Sequence, residues 1–131
     1  MRRVFAFCLA VLALAALCGC SVRIDYGRSE LYSRSEMDAA ILEIRLALAK
    51  MDGCVLHSLQ YAGDEVCAKN LAYCRQLAPD RDLQQCIVFN SSFRSPPNGG
   101  GAWEPNQEYR WTWYLGRGAR GGWIILTYGY A

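Results

Sequence analysis

The first regular pattern of apolar positions beyond the amino terminus predicts an amphipathic helix. Ser33 and Glu36 stand three residues apart at its start, the signature of a capping box. Asp52-Gly53 is expected to end it, because glycine readily takes the left-handed conformation that closes a helix. The apolar side chains recur at steps of three and four residues, at Met37, Ile41, Ile44, Leu48 and Met51.

Four later segments alternate apolar and polar side chains or are rich in aromatic and β-branched residues, which predicts β-strands. They cover residues 54–61, 86–93, 108–115 and 123–130. The glycine- and proline-rich stretches 95–101 and 116–122 predict a long loop and a turn between strands. Strands joined in this way are expected to form an antiparallel meander with one apolar face.

Residues 64–77 predict a second helix, inserted between the first two strands. The predicted fold class is therefore α+β, with one N-terminal helix packed on a curved four-stranded antiparallel sheet and a disulfide-bonded helical insert. Cystatin-like and NTF2-like folds share this order of elements, which is an analogy of fold alone.

The first twenty residues have the character of an export signal. Arg2 and Arg3 precede an apolar run, residues 4–17, that is too short to span a hydrocarbon layer, which needs ~20 apolar residues. Leu17-Cys18-Gly19-Cys20 resembles the lipobox of bacterial lipoproteins. The resemblance implies cleavage before Cys20 and acylation of its thiol and of the new amine, and two or three acyl chains anchor a protein stably.

The same resemblance sets the expected domain limits and location. We expect a lipoprotein signal peptide over 1–19, a tether over 20–32 and a single α+β domain over 33–131. Ser21, rather than Asp, follows the lipidated position, which in Gram-negative families implies sorting to the outer membrane. The alternatives are an ordinary signal cut further on or an uncleaved anchor.

The charge balance argues against a nucleic-acid partner. Removing Arg2 and Arg3 from the 14 basic side chains leaves 12, which equals the number of acidic ones. Such a neutral chain lacks the basic surface that binds nucleic acid. The expected partners are the membrane, through the lipid anchor, and an envelope protein or polymer.

Four cysteines remain in the exported part, namely Cys54, Cys67, Cys74 and Cys86. An even number in an oxidising compartment predicts two disulfides, with buried free thiols or a zinc site as the alternatives. A helix over 64–77 that runs back along the first strand favours Cys67–Cys86 with Cys54–Cys74; an irregular segment would allow a local Cys67–Cys74 bond. Zinc is disfavoured because there is no C-x-x-C pair and His57 is the single histidine. We predict no metal and no cofactor.

Several short motifs also resemble an uncharacterised domain family of small bacterial lipoproteins. The resemblance covers nearly all of 31–131, departs from the family around 65–86 and carries no activity, so it implies fold and location only. Its motifs are Leu31-Tyr32-Ser33, Gly53-Cys54, Tyr61 with Asp64-Glu65, Ile87-Val88, Trp111 and Trp113 before Leu115, Gly122-Trp123 and Gly129-Tyr130.

Candidate chemistry is sparse. No carboxylate or nucleophile lies at a sequence spacing from His57 that would identify it as a catalytic partner. The glycine-rich residues 98–101 lack the lysine and the strand-to-helix context of a phosphate loop. Aromatic and arginine side chains of the last strands form the best candidate binding patch, against the plainer interpretation of cross-strand packing. The patch consists of Trp103, Arg110, Thr112 and Tyr114.

These observations favour a non-enzymatic binding module displayed on a membrane. The alternative is a small NTF2-like ligand-binding protein or enzyme with a pocket between helix and sheet, and a protease inhibitor of cystatin type is a third, weaker interpretation. A helix–sheet interface filled by apolar side chains would argue against the pocket.

Overall fold

The computed structural model describes residues 21–130, which form an α+β fold of two α-helices and one five-stranded sheet. A short 3₁₀ turn at Pro79–Arg81 precedes the third strand. In chain order the elements are β1 (Arg23–Asp25), α1 (Arg34–Ala49), β2 (Val55–Tyr61), α2 (Asp64–Leu77), β3 (Gln85–Arg94), β4 (Glu108–Arg117) and β5 (Ile124–Tyr130).

The sheet corrects the predicted fold. Its strand order is β1-β2-β3-β4-β5, with β1 parallel to β2 and every other pair antiparallel. The prediction of a four-stranded antiparallel sheet with one helix and an insert is therefore wrong. β1 has only three residues and a single apolar side chain, Ile24, so no alternation reveals it. Helix α1 supplies the crossover that a parallel pair requires.

Helix α1 confirms the capping box and the apolar stripe from Met37 to Leu48, but it ends at Ala49, before Met51 and the predicted end at Asp52-Gly53. The Ser33 hydroxyl accepts a hydrogen bond from Glu36 N (3.2 Å), and the Glu36 carboxylate accepts one from Ser33 N (3.0 Å). The buried side chains of the helix are Met37, Ala40, Ile41, Ile44 and Leu48. The two cap bonds satisfy backbone donors that a helix start leaves free, and the stripe directs one face to the core.

The face of the sheet under α1 is the apolar face. Its side chains belong to alternate positions of each strand, and the largest of them, Trp113 and Phe89, are fully buried. Trp113 Nε1 donates to Ser91 Oγ (2.8 Å), which satisfies the polar atoms of both side chains inside the core. Burial of each large apolar side chain stabilises the fold by roughly 1.5–3 kcal/mol.

Helix α2 packs against the opposite face, over the end of the sheet where β3 begins. Gly63 has a φ of 109°, which glycine takes without strain, and turns the chain from β2 into the helix. Tyr73 meets Tyr114 edge-on, with ring centroids 5.4 Å apart. Leu83, just beyond the helix, fits over Gly116, where an added Cβ would lie 2.8 Å from Leu83 Cδ1.

The position of α2 also corrects the predicted cysteine pairs. All four described cysteines are free, so the disulfide-bonded insert is wrong for this structure. The prediction needed α2 to run back along β2, whereas the helix crosses over β3 and brings Cys74 to Cys86. Cys54 precedes Val55, which pairs with Arg94, eight residues along β3 from Cys86 or about 26 Å at ~3.3 Å per residue.

The segment predicted as a tether contains β1 and an ordered arm. Ser29 Oγ donates to Asp64 Oδ1 (2.6 Å), and the Tyr32 hydroxyl donates to the Cys86 carbonyl (2.6 Å). Tyr26 donates to Asp38 of α1. These contacts attach residues 23–32 to both helices and to the sheet. The predicted signal peptide and Cys20 lie outside the described residues.

Candidate functional site

The half of the sheet opposite α1 that α2 leaves uncovered is polar, and we call it the polar face. Strand register places one row of side chains straight across four neighbouring strands. Arg23 pairs with Ser58, Ser58 with Ser92, and Ser92 with Arg110. At ~4.8 Å between strands, the row spans about 14 Å from the first Cα to the last.

A second polar row lies beside the first. It follows the same register through Asp25, Gln60, Asn90 and Thr112. Thr112 Oγ1 donates to Asn90 Oδ1 (2.8 Å), and the hydroxyls of Ser58 and Ser92 also hydrogen-bond to each other. These bonds fix the rotamers of the central side chains, so the floor of the polar face is preorganised.

Two arginines border this floor. Arg23 and Arg110 are exposed, and within residues 21–130 neither has a carboxylate within 4.0 Å. They line a cleft of about 480 Å³ with side chains that are all polar. A guanidinium without an ion-pair partner is free to bind a carboxylate or phosphate in a bidentate way.

The structure divides the predicted binding patch among three environments. Arg110 and Thr112 belong to the polar face. Tyr114 shares their side of β4 but lies against Tyr73 of α2, and burial raises the pKa of its hydroxyl. Trp103 is on the other side of the sheet, where its ring centroid is 4.9 Å from that of Tyr109 and 5.6 Å from that of Phe93.

Trp103 is one member of an aromatic cluster on the apolar face, which includes Trp113 of the core. The loop that carries it is held by Ser95, whose hydroxyl donates to the Glu104 carbonyl (2.6 Å) and accepts from Gln107 N (2.8 Å). Successive rings contact each other at centroid distances of 4.7–6.2 Å. This arrangement matches ordinary cross-strand packing. The members are Phe93, Trp103, Tyr109, Trp111, Trp113, Tyr128 and Tyr130.

His57 acquires a carboxylate partner that its sequence spacing did not reveal. Its Nδ1 lies 2.9 Å from Glu108 Oε1, although the two residues are 51 positions apart. An imidazole oriented by a carboxylate suits general-base chemistry. Within the described residues, no hydroxyl or thiol is hydrogen-bonded to the other ring nitrogen.

A buried group of thiols lies between α2 and β3. Cys74 Sγ is 2.7 Å from Cys86 Sγ, and Cys67 donates to the Tyr61 hydroxyl (3.5 Å). The hydrogen bond with Cys86 lowers the pKa of Cys74, and the same bond, with burial, raises the pKa of Cys86. A crevice of about 230 Å³ reaches this group, lined by Cys67, Cys86 and neighbouring side chains.

Sequence reasoning missed most of the polar face. Arg23 was assigned to the tether, and Ser58 and Ser92 have no distinctive spacing. The alternation of Cys86, Val88 and Asn90 against the apolar positions of the second predicted strand was the one signal of a second face. Because α2 covers only part of that face, the alternation of polar and apolar positions does not show which polar residues stay exposed to solvent.

No known protein family, curated protein or solved structure matches this chain significantly. The resemblance to lipoproteins, and to one of their uncharacterised domain families, therefore stays a prediction. Among residues 21–130 no helix is long and apolar enough to cross a membrane. The same residues contain no group of three or more side chains arranged to hold a metal ion.

Proposed function

We propose that the chain is an exported, lipid-anchored envelope protein whose domain binds an acidic polysaccharide on the polar face. The observation that carries the binding proposal is the pair of in-register polar rows that neither helix covers. The lipobox-like residues 17–20 support the location.

The chemistry of the floor favours a polysaccharide over a protein. Ser58, Ser92 and Asn90 offer hydroxyl and amide groups that both donate and accept hydrogen bonds, as sugar hydroxyls do. A protein partner would instead bury aromatic and aliphatic anchors in pockets at the centre of its interface. The cleft between the arginines has no apolar side chain in its lining.

The borders of the floor favour an acidic ligand. Arg23 and Arg110 carry two positive charges on Cα atoms about 14 Å apart, with no carboxylate partner among the described residues. Carboxylate or phosphate groups spaced along a polymer would satisfy both guanidiniums at once. Such paired contacts raise the overall affinity above that of either contact alone.

The packing under α1 argues against the alternative of an enzyme or carrier with an internal pocket. Ile44 and Trp113 are fully buried, and Met37, Ile41 and Leu48 are at most 4% exposed. Side chains of this size fill the space between helix and sheet where an NTF2-like ligand would lie. The open polar face is the better binding surface.

Calorimetric titration with a polyuronate oligosaccharide tests the ligand class, with neutral dextran as the comparison. We expect binding of the polyuronate only, weakened at least tenfold (about 1.4 kcal/mol) by Arg23→Gln together with Arg110→Gln. Arg120→Gln is the matched control, because Arg120 is exposed on the glycine-rich turn away from both rows. Equal binding of dextran, or an unchanged affinity in the double variant, would overturn the proposal.

Membrane fractionation with radiolabelled palmitate tests the anchor separately. Cys20→Ser is expected to abolish labelling and release the protein from membranes. Cys18→Ser is the matched control, because serine is common at that position of a lipobox and should preserve both. Retention of the Cys20→Ser variant in the membrane fraction would contradict lipid anchoring.

A further inference from the structure

The thiol group between α2 and β3 contains one pair of sulfur atoms in direct contact. Cys74 Sγ and Cys86 Sγ are 2.7 Å apart, on residues 12 positions apart in the chain. A disulfide bond is about 2.0 Å long, so the two side chains need to approach by less than about 1 Å to form one. The side chains converge from a helix and a strand, both of which are firmly packed at this point.

The other two described cysteines have different surroundings. Cys67 is buried and directs its thiol to the Tyr61 hydroxyl (3.5 Å). Cys54 follows α1 and lies beside the opposite end of β3, about 26 Å from Cys86 by strand register. The sulfur contact therefore selects a single pair from the four described thiols.

From this contact we propose that Cys74 and Cys86 are a modification site: a disulfide-bearing oxidant converts the two thiols into a bond that ties α2 to β3. Cys54 and Cys67 remain thiols. The predicted connectivity, which joined Cys67 to Cys86 and Cys54 to Cys74, is not retained. The proposal does not depend on the polysaccharide or on the lipid anchor, since it concerns the thiols of the domain alone.

The reaction proceeds by two thiol–disulfide exchanges. One thiolate of the pair attacks one sulfur of the oxidant's disulfide, which forms a mixed disulfide and releases one thiolate. The other cysteine then loses its proton and attacks the cysteine sulfur of that mixed disulfide, which forms the Cys74–Cys86 bond and releases the second thiolate. The two cysteines lose two electrons and two protons in total, and the oxidant's disulfide becomes two thiols.

Burial determines when an oxidant can reach the two thiols. Cys74 is fully buried and Cys86 is 2% exposed in the folded domain. The oxidant must therefore react while α2 is not yet docked on the sheet, that is, during folding.

Peptide mapping gives a direct test. The reduced, unfolded protein is refolded with oxidised glutathione, remaining thiols are alkylated, and the product is digested with trypsin. Cleavage after Lys50, Lys69, Arg75, Arg81 and Arg94 puts Cys74 in peptide 70–75 and Cys86 in peptide 82–94, whereas Cys54 and Cys67 share peptide 51–69. We expect 70–75 joined to 82–94, a thiol count lower by two, and a higher urea midpoint of unfolding.

Variants supply the controls. Cys54→Ser and Cys67→Ser should each leave the linked peptides unchanged, whereas Cys74→Ser and Cys86→Ser should each abolish them. If Cys74→Ser or Cys86→Ser fails to fold, the peptide map of the wild-type protein still tests the proposal. A link from peptide 51–69 to either of the others, or full alkylation of both Cys74 and Cys86 after refolding, would overturn the proposal.

Discussion

Asp64 shows how one side chain joins the amino-terminal arm to the body of the fold. Its carboxylate accepts hydrogen bonds from Ser29 Oγ (2.6 Å), Tyr61 Oη (2.6 Å) and Glu30 N (2.8 Å). The bonds from Ser29 and Tyr61 lower the pKa of Asp64. It is also the first residue of α2, where a negative charge interacts favourably with the helix dipole.

The lowered pKa of Asp64 predicts a specific pH dependence of stability. The folded pKa lies below the unfolded value of about 4, so the ionised carboxylate contributes stability at pH 7 and loses it as pH falls through the folded pKa. Asp64→Asn should therefore lower the free energy of unfolding by about 1–3 kcal/mol at pH 7. Urea unfolding from pH 7 to pH 2 should show the difference from wild type shrinking below about pH 4.

Glu65→Gln is the matched control, because Glu65 is exposed and its one ion pair among residues 21–130 is with Lys69 (2.8 Å), four residues along α2. Such a surface pair is worth about 0–1 kcal/mol. A loss in Glu65→Gln as large as that in Asp64→Asn would contradict the role given to Asp64.

At the scale of elements, the strongest local signals in the sequence located most of the secondary structure. The Ser33-to-Glu36 spacing marked the start of α1, because the capping box is built from residues three apart. The alternation around Phe89 and Trp113 marked β3 and β4. β1 was not predicted, because the pairing of its three residues with β2 depends on the whole fold rather than on the side chains of β1.

The capping box of α1 predicts a measurable stability effect. Ser33→Ala removes the acceptor for Glu36 N and should lower the free energy of unfolding by about 1 kcal/mol in urea denaturation. Ser35→Ala is the control, because the Ser35 side chain is exposed and, in the part of the chain that the structure describes, its hydroxyl hydrogen-bonds only to that of Ser33 (3.3 Å). Equal losses in the two variants would show that the cap bond contributes little.

At the scale of the whole molecule, the candidate site depends on contacts that no local pattern encodes. Arg23 and Arg110 stand 87 positions apart and share one row only because β1 pairs with β2 at the edge of the sheet. The Cys74–Cys86 contact likewise depends on the direction in which α2 crosses the sheet. Sequence periodicity fixes which face a residue occupies within its own element and leaves such tertiary placement open.

The amino-terminal arm predicts a cooperative contribution to global stability. A chain beginning at Ser33 lacks β1 and the hydrogen bonds that Tyr26, Ser29 and Tyr32 donate. At about 1 kcal/mol for each bond, it should lose at least about 3 kcal/mol in urea unfolding relative to a chain beginning at Ser21, because the burial of Tyr32 is lost as well. Equal stabilities of the two chains would mean that the arm is a passive linker.

The early start of β1 also limits how far an anchored domain could travel. A disordered segment over 20–32 would extend about 43 Å at ~3.3 Å per residue, whereas only residues 21 and 22 separate Cys20 from Arg23. With lipid on Cys20, the segment between the lipid and β1 is about 10 Å long. The edge of the sheet would then lie against the lipid headgroups. The domain would bind a polymer at the surface of the bilayer, whereas a long flexible tether would let it reach polymer farther away.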